Sequence, residues 1–212
     1  MTQQDPVEGR VARRQRYIRS ALIRAAHKVM SEKGIDAATM LEIADHADVG
    51  AGTVYNYFKS KDDLAVAVLE NMMYNLALRI EAATKTIQDP AEVYAFGIQT
   101  VLETATQDIH WKQLLSRSEV IAEALFRQMG PFATRDFRLA SEAGRFPPND
   151  GELIWRLSSY AIVGISLAIT NSKVPEGKLR EAAVQLLCLT GVGTETAKDL
   201  VSRSRPTLPP EE

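Results

Sequence analysis

The sequence predicts an all-α protein with nine or ten helices, and three observations lead to that prediction. Glycine and proline fall mostly in a few short clusters, and the long segments between them are rich in Ala, Leu, Glu, Arg and Gln, all strong helix formers. Apolar residues recur at helical spacing, and no long segment alternates apolar and polar residues as a half-buried strand does. Two capping patterns stand at predicted helix starts.

The composition is that of an ordinary globular protein. Hydrophobic residues make up 45% and charged residues 25% of the 212 residues, which excludes a largely disordered chain. A chain of this length buries roughly 70% of its unfolded surface and needs no metal or disulfide to fold. The single cysteine, Cys188, can form no intramolecular disulfide. The first twenty residues are polar and arginine-rich, unlike a secretory signal, so we expect a cytoplasmic protein.

Charge is unevenly distributed along the chain. Residues 9–33 contain eight basic residues and one acid, a net charge of +7, although the whole chain carries −2. This asymmetry is typical of a protein with one end facing a polyanion. A solvated tail is the commoner origin of such a run, and both interpretations stay open at this point.

The first predicted helix covers about residues 13–33. Ile18, Leu22, Ala25 or Ala26, and Val29 form its apolar stripe. Gly34 follows the last basic residue and fits a helix stop.

Two short helices follow the first. T-M-L-E at 39–42 is a capping box, and the helix that it opens ends near 48–50. A second short helix covers about 51–58. Ala44 and Ala47 are small enough to let the two helices cross closely. This arrangement is a helix-turn-helix, whose second helix presents its N-terminal residues to a DNA major groove.

Longer helices fill the rest of the chain. S-K-D-D at 60–63 opens a helix that continues to about Ala83. Residues 153–169 contain a single charge and are apolar nearly all round, so this helix must be covered on several sides. The segment is too short and too rich in serine for a membrane span, and we expect it to be shared with a partner subunit.

The stretch TMLEIADHADVGAGTVYNYFKSKDDL at 39–64 resembles the DNA-binding segment of the TetR family of bacterial transcriptional regulators. The family pattern is roughly T-x-x-x-I-A-x-x-A-G-V-S-x-G-x-x-Y-x-[HY]-F-x-x-K-x-x-L. Eleven positions agree with it: Thr39, Ile43, Ala44, Ala47, Val49, Gly52, Tyr55, Tyr57, Phe58, Lys61 and Leu64.

Two positions depart from the family pattern. Asp48 stands where glycine is usual in the turn, and Gly50 stands where a serine usually caps the second helix. Aspartate tolerates left-handed backbone better than most residues, and glycine is an acceptable N-cap. We therefore expect the turn to form.

The resemblance implies a set of residues that contact double-stranded DNA: Thr39, Ala51, Thr53, Tyr55, Asn56, Tyr57 and Lys61. Asn56 is the strongest candidate for reading a base, because its amide can bond adenine in a bidentate way. Lys61 is in the position of a lysine that pairs with phosphate. Arg13, Arg14 and Arg16 are candidates for an additional arm outside the motif.

The resemblance also implies a domain plan. Residues 10–60 form the helix-turn-helix DNA-binding domain, 61–205 a larger helical ligand-binding and dimerisation domain, and 206–212 a flexible tail. A homodimer forms through the helices near 151–172 and 176–190 and reads a palindromic operator. The effector is an unknown small molecule, and its candidate contacts are Met73, Phe96, Trp111, Phe126, Trp155 and Tyr160, although core packing alone is the commoner role of such residues.

We predict no catalytic residues, metal or cofactor and no membrane partner. None of the three histidines has a metal-ligand spacing or lies in a nucleophile motif, and no glycine-rich phosphate loop follows a strand. The sequence thus favours a ligand-responsive DNA-binding regulator, by default a repressor that releases its operator when the effector binds. The alternative is a helical small-molecule carrier or interaction module in which Asp48 and Gly50 have disabled operator binding.

Overall fold

The computed structural model describes residues 9–107 and 118–210, although the side chains of 118 and 119 are not described. This part of the chain contains no strand, which confirms the predicted all-α fold. Its nine α-helices are α1 (Arg10–Lys33), α2 (Met40–His46), α3 (Ala51–Tyr57), α4 (Lys61–Thr84), α5 (Pro90–Gln107), α6 (Ser118–Glu142), α7 (Gly151–Thr170), α8 (Leu179–Cys188) and α9 (Thr194–Ser202). A short 3₁₀ helix, Glu176–Lys178, precedes α8.

The chain forms two units, which divide between Val68 and Leu69, inside α4. Unit 1 contains α1, α2, α3 and the start of α4. Its core is built from the predicted stripe of α1, where Leu22 and Val29 are buried, together with Ile43 of α2 and Val54 of α3. Two helices as short as α2 and α3 are not stable alone, so this packing holds them in place.

The first helix starts three residues earlier than predicted, at Arg10. It ends as predicted at Gly34, which has a φ of +86° and donates its backbone N–H to the Met30 carbonyl. Residues 10–17 are exposed on all sides. The first two turns of α1 therefore extend beyond the unit's core.

Unit 2 is built around α5, which is buried along most of its length and packs against α6, α7 and α8. Tyr94 of α5 lies edge-on to Phe137 of α6 and to Phe146, with ring centroids 6.1 and 5.5 Å apart. The loop after α8 approaches Pro147 at Gly191, where an added Cβ would lie 2.6 Å from the proline Cγ. The +91° φ of Gly191 is also one that only glycine adopts easily.

Helix α6 continues through Pro131, although glycine and proline at 130–131 mark a possible helix end in the sequence. Pro131 is exposed, and so is Arg127, whose carbonyl loses its helical donor at this position. Water can hydrate that carbonyl, so the helix is not forced to end.

Helix α7 is the described helix that is long and apolar enough to cross a membrane by length and composition. It contains buried residues such as Trp155 and Ile162, and it also has exposed apolar residues such as Leu153 and Leu157, which are 52% and 50% exposed. The core contacts account for one face of the helix and leave a second apolar face on the surface of the chain.

The last described residues, 203–210, are held against unit 2 by arginine contacts. Arg79 donates from Nε to the Pro209 carbonyl at 2.7 Å. Arg205 pairs with Glu103 through both Nη atoms, and its guanidinium lies 5.4 Å from the centre of the Phe96 ring. Pro209 lies within residues 206–212, the predicted flexible tail, so the described part of this tail is hydrogen-bonded to α4.

Candidate nucleic-acid interface

The capping box at the start of α2 forms as predicted. The Glu42 backbone N–H donates to Thr39 Oγ1 at 3.2 Å, and the Thr39 backbone N–H donates to Glu42 Oε2 at 3.1 Å. Lys33 pairs with the same carboxylate. Hydrogen bonds from Lys33 and Thr39 lower the pKa of Glu42 to about 2, so this carboxylate is ionised at neutral pH.

This arrangement limits the hydrogen-bond donors that Thr39 has available for a DNA phosphate. Its backbone N–H and its hydroxyl both donate to Glu42 Oε2, the hydroxyl at 2.9 Å. A DNA phosphate at Thr39 would have to compete with this carboxylate for both donors.

The turn between α2 and α3 forms despite the two departures from the family pattern. Asp48 has a φ of +53°, the left-handed conformation that glycine usually supplies. The Asp48 N–H donates to the Asp45 carbonyl at 3.2 Å, and the Val49 N–H donates to the Ala44 carbonyl at 3.1 Å. These two bonds are those of a Schellman motif, which satisfies the last carbonyls of α2.

Gly50 is the N-cap of α3, as expected from its position in the pattern. Its backbone is extended, and its carbonyl accepts from the Thr53 N–H at 2.8 Å. The helix therefore starts at Ala51 without a capping side chain.

One face of α3 is buried in unit 1 and the other is open. Val54 is fully buried, and Phe58, directly after α3, is 4% exposed. The guanidinium of Arg19 lies 5.3 Å from the centre of the Phe58 ring and covers it. These two apolar residues fix the rotation of α3 about its axis.

The rotation of α3 leaves several predicted contact residues accessible. Tyr55 is 58% exposed and Asn56 is also exposed, while Ala51, Thr53 and Tyr57 are half-buried. The sequence left open whether Tyr55 belongs to the core, and the structure places it on the surface. The Asn56 amide is therefore free of the core and can approach a base edge.

Lys61, the first residue of α4, is half-buried. Its ammonium donates to the Asp36 carbonyl at 2.6 Å, which orients the side chain. An ammonium has three N–H donors, so two remain for other acceptors. The Asp63 N–H donates to Ser60 Oγ at 3.0 Å and caps this helix as predicted.

The basic residues of α1 are all exposed: Arg10, Arg13, Arg14, Arg16, Arg19, Arg24, Lys28 and Lys33. They belong to unit 1, the same unit as α3. This unit thus combines a helix with exposed hydrogen-bonding side chains and a dense positive charge, the two features of a sequence-reading DNA-binding module.

The predicted effector contacts are dispersed in unit 2. Met73 and Phe96 are buried, Phe126 lies 3.8 Å beneath the Arg156 guanidinium, and Tyr160 is exposed and hydrogen-bonds Glu123. Trp155 lines a partly open cavity of about 40 Å³ between α4, α5, α6 and α7, and the four other described side chains lie outside its lining. Trp111 falls outside the described residues.

Sequence reasoning did not single out the four polar residues of this cavity, Glu81, Tyr94, Arg135 and Asp136. A signal for Asp136 was present: it stands four residues after Phe132 and seven after Met129, so a carboxylate interrupts the apolar face of a helix. Tyr94 gave no comparable signal, because a tyrosine on a buried helix is ordinary core composition.

Comparison with known proteins covers both units. The family model described as bacterial regulatory proteins, tetR family, matches residues 22–68. The model of the Tetracyclin repressor-like, C-terminal domain matches residues 89–203, more than half of the chain.

Two curated relatives are mycobacterial regulators. The transcriptional activator FasR of Mycolicibacterium smegmatis is 28% identical over 59% of this chain and 54% of its own length. The transcriptional repressor KstR of Mycobacterium tuberculosis is 27% identical over 52% of this chain and 50% of its own length. The chain thus spans about half the length of these relatives.

Among solved structures, RolR in complex with its ligand resorcinol is similar over nearly the whole chain. The TM-score is 0.81 at 28% identity, covering 93% of this chain and 100% of that one. RolR without ligand gives a TM-score of 0.76. With both of its units matched, the chain belongs to the TetR family of bacterial transcriptional regulators.

Proposed function

We propose that this protein is a cytoplasmic, homodimeric transcriptional regulator, without catalytic activity, that binds a palindromic operator and releases it when a small molecule binds unit 2. The formed helix-turn-helix, with Tyr55 and Asn56 exposed on α3, is the observation on which this proposal rests. Relatives include both an activator and a repressor. We propose a repressor, by analogy with the repressor among these relatives. Release requires only that the effector favour a conformation that does not fit DNA.

The proposed roles of the α3 residues follow from their chemistry. Asn56 bonds an adenine through N6 and N7, and Thr53 contacts a thymine methyl or a phosphate. Tyr55 and Tyr57 contact the DNA backbone and bases, and Ala51 allows close approach at the start of α3. Lys61 pairs with a phosphate through the N–H donors that Asp36 leaves unused. Thr39 contacts a phosphate once its backbone N–H and hydroxyl no longer donate to Glu42.

The proposed dimer interface lies on the exposed apolar face of α7 and on α8. Leu153, Leu157 and Tyr160 are exposed at helical spacing, and Ala161 and Gly164 continue the same surface with small residues. Leu189, directly after α8, adds a further exposed apolar side chain. Two copies joined in this way present two α3 helices to half-sites about 34–36 Å apart, or a multiple of that distance.

We propose that α4 transmits the effector signal. Its N-terminus follows α3 directly, and its C-terminal half supplies Ala77, Ile80 and Glu81 to the cavity of unit 2. A displacement of α4 at the cavity is therefore passed along one continuous helix. A coupling of about 1–3 kcal/mol would change operator affinity some 5- to 150-fold.

Small hydroxylated aromatic molecules are the first effectors to test. RolR is similar to this chain over 93% of this chain's length, and its structure was solved with resorcinol. A regulator of this type would lose operator affinity when such a molecule is added.

Selection from random duplex DNA with the purified full chain tests the proposal without knowledge of the effector. We expect enrichment of a palindrome at moderate salt with competitor DNA. Asn56→Ala should relax the preference at one position of each half-site, whereas Lys61→Ala should weaken all sequences about equally. As controls, Asn71→Ala and Lys85→Ala remove an amide and an ammonium group from exposed positions of unit 2. They should change neither the sequence preference nor the affinity for DNA.

Failure to enrich any sequence with protein shown to be free of bound ligand would contradict the proposal. Binding of a small molecule with an affinity that does not change with ionic strength, in the same preparation, would then identify a carrier. Operator binding through Lys and Arg contacts must instead weaken steeply with salt.

A further inference from the structure

Arg19 is a basic residue of α1 that lies in line with the buried face of this helix. It stands three residues before Leu22 and seven before Ala26, so the three residues share one face of α1. Leu22 and Ala26 are fully buried, whereas Arg19 is exposed. Arg19 therefore lies on the interior side of α1, at the edge of the core of unit 1.

The side chain of Arg19 reaches the end of α3. Its guanidinium lies over the ring of Phe58, 5.3 Å from the ring centre. Phe58 directly follows α3 and donates its backbone N–H to the Val54 carbonyl at 2.9 Å, so its position is tied to the last turn of that helix. An aromatic face attracts a cation, and this contact holds the positive charge of Arg19 beside the C-terminal end of α3.

The hydrogen-bond donors of Arg19 have no acceptor among the described residues, and no described carboxylate pairs with its charge. Lys33, at the other end of α1, differs in this respect because it pairs with Glu42. A guanidinium has five N–H donors in a planar fork that matches the oxygens of a phosphate. Phe58 thus positions a charged donor group that can bind a phosphate.

The place of α3 in a helix-turn-helix brings this group near DNA. The N-terminal residues of the second helix contact base edges in the major groove, so its C-terminal end lies nearer the border of the groove, where the phosphates are. Helix α3 has seven residues. It is therefore about 10 Å long, while the groove is about 12 Å wide. A group held at the end of α3 is within reach of the phosphate backbone.

We propose that Arg19 is a further DNA-binding residue, whose guanidinium, oriented by Phe58, contacts a backbone phosphate beside the C-terminal end of α3. This inference rests on the proposed function, because it requires that α3 lie in the major groove. Arg19 is outside residues 22–68, which match the family model, and outside the predicted arm of Arg13, Arg14 and Arg16. A phosphate contact carries no sequence information, so Arg19 fixes how α3 lies on the duplex without reading a base.

The salt dependence of duplex binding by the full chain tests this contact. Arg19→Met removes the charge and all five donors but keeps an unbranched side chain that can cover Phe58. We expect the slope of log K against log salt to fall by about 0.9 for each bound subunit. Affinity for the selected operator should fall about tenfold, since a hydrogen bond to a charged group is lost. Arg138→Met, at an exposed arginine of unit 2, is the control and should change neither quantity.

Two further measurements separate a DNA contact from a structural role of Arg19. Without DNA, Arg19→Met should unfold at the same temperature as the unchanged protein, because methionine still covers the Phe58 ring. Selection from random duplex DNA with this variant should return the same palindrome, because the contact reads no base. A lower unfolding temperature with an unchanged salt slope would make Arg19 a structural residue and overturn the proposal, as would a different palindrome.

Arg19→Lys tests whether the orientation of the guanidinium matters. Lysine keeps the charge but lacks the planar fork, so it cannot make a bidentate contact. We expect this variant to keep the salt slope and to bind the operator with an affinity between those of the unchanged protein and Arg19→Met. In a Phe58→Leu background, which removes the ring, Arg19→Met should cause a smaller loss of affinity. Equal losses in both backgrounds, or a lysine variant as tight as the unchanged protein, would overturn the role of Phe58.

Failure of this inference and failure of the proposed function give different results. If the proposed function is wrong, the unchanged protein selects no palindrome. If a palindrome is selected but Arg19→Met keeps the full salt slope, only the Arg19 contact is rejected. The slope can also be measured on a random duplex, because non-specific binding uses phosphate contacts. The role of Arg19 is therefore tested whichever result the selection gives.

Discussion

At the scale of single residues, Asp48 shows how a departure from a family pattern is accommodated. It adopts the left-handed conformation and makes the hydrogen bonds of a glycine-type helix stop. Aspartate enters this region at lower cost than a β-branched residue does, because its short polar side chain can bond locally. The turn that orients α3 is thus retained with some strain.

Substitution of Asp48 should reveal this strain. We expect Asp48→Gly to keep or raise the thermal stability of unit 1 and Asp48→Val to lower it, with a difference of about 1–2 kcal/mol between the two. Thermal unfolding, monitored by circular dichroism, measures which of the two variants is more stable. A valine variant as stable as the glycine variant would show that the left-handed conformation does not govern this turn.

Asp89 is a residue whose charge supports unit 2. Its carboxylate accepts from Arg145 at 3.0 and 2.8 Å and from Arg203 at 2.8 Å. It also accepts from the Ala91 N–H, at the start of α5. Burial opposes ionisation, but these donors outweigh it and lower the pKa of Asp89.

The lowered pKa predicts a dependence of stability on pH. Because the folded pKa lies below the unfolded value of about 3.9, the ionised form stabilises the fold above that pH, and the contribution is lost as the pH falls through the folded pKa. Asp89→Asn, which keeps a cap at α5, should lower stability by about 1 kcal/mol at pH 7 and by less near pH 3, below the unfolded pKa. Urea unfolding at both pH values measures the difference. A loss of stability that is the same at both pH values would show that Asp89 acts through the geometry of the helix cap and not through its charge.

At the scale of elements, the N-terminal part of α1 is a basic helix outside the core of unit 1. Arg13 and Arg14 are exposed, as are all residues from 10 to 17. We propose that the charge of this segment contacts DNA phosphates.

The salt dependence of operator binding tests that function. Each phosphate contact contributes about 0.9 to the slope of log K against log salt. Replacing Arg13 and Arg14 together by alanine should reduce the slope by about 2 and leave the selected sequence unchanged. Arg138→Ala, an exposed change on α6 of unit 2, is the control. An unchanged slope would make α1 a solvated helix without a DNA contact.

At the scale of the whole molecule, the proposed dimer decides whether two α3 helices act together on DNA. The exposed apolar face of α7 is a surface that a partner subunit can cover. Leu157 lies in the middle of this face and is 50% exposed.

A charge at Leu157 should therefore separate the subunits. We expect Leu157→Glu to sediment as a monomer and to lose operator binding, because burying an unpaired carboxylate in the interface is costly. Leu78→Glu, at a leucine of α4 that is 41% exposed, should remain a dimer. Analytical ultracentrifugation gives the mass of each variant. A dimeric Leu157→Glu would place the interface elsewhere.

The sequence by itself determined the features that depend on neighbouring residues. Helical periodicity, the capping box at Thr39 and Glu42, and the stop at Gly34 each arise from groups a few residues apart, and all three are present in the structure. The helix-turn-helix is a local unit of the same kind, so its two helices and the turn between them followed from the pattern. The pattern left open whether Tyr55 belongs to the core, and the packing of unit 1 places it on the surface.

The tertiary structure decided what depends on residues far apart in the chain. The cavity brings together side chains from residue 77 to residue 155 on four helices, and no local pattern states which aromatic residues will meet there. For the same reason Tyr94 was missed, while Met73 and Phe96 proved to be buried outside the cavity lining. Local hydrogen bonds and periodicity determine where a helix lies in the sequence, but the packing of whole helices determines which side chains share a site.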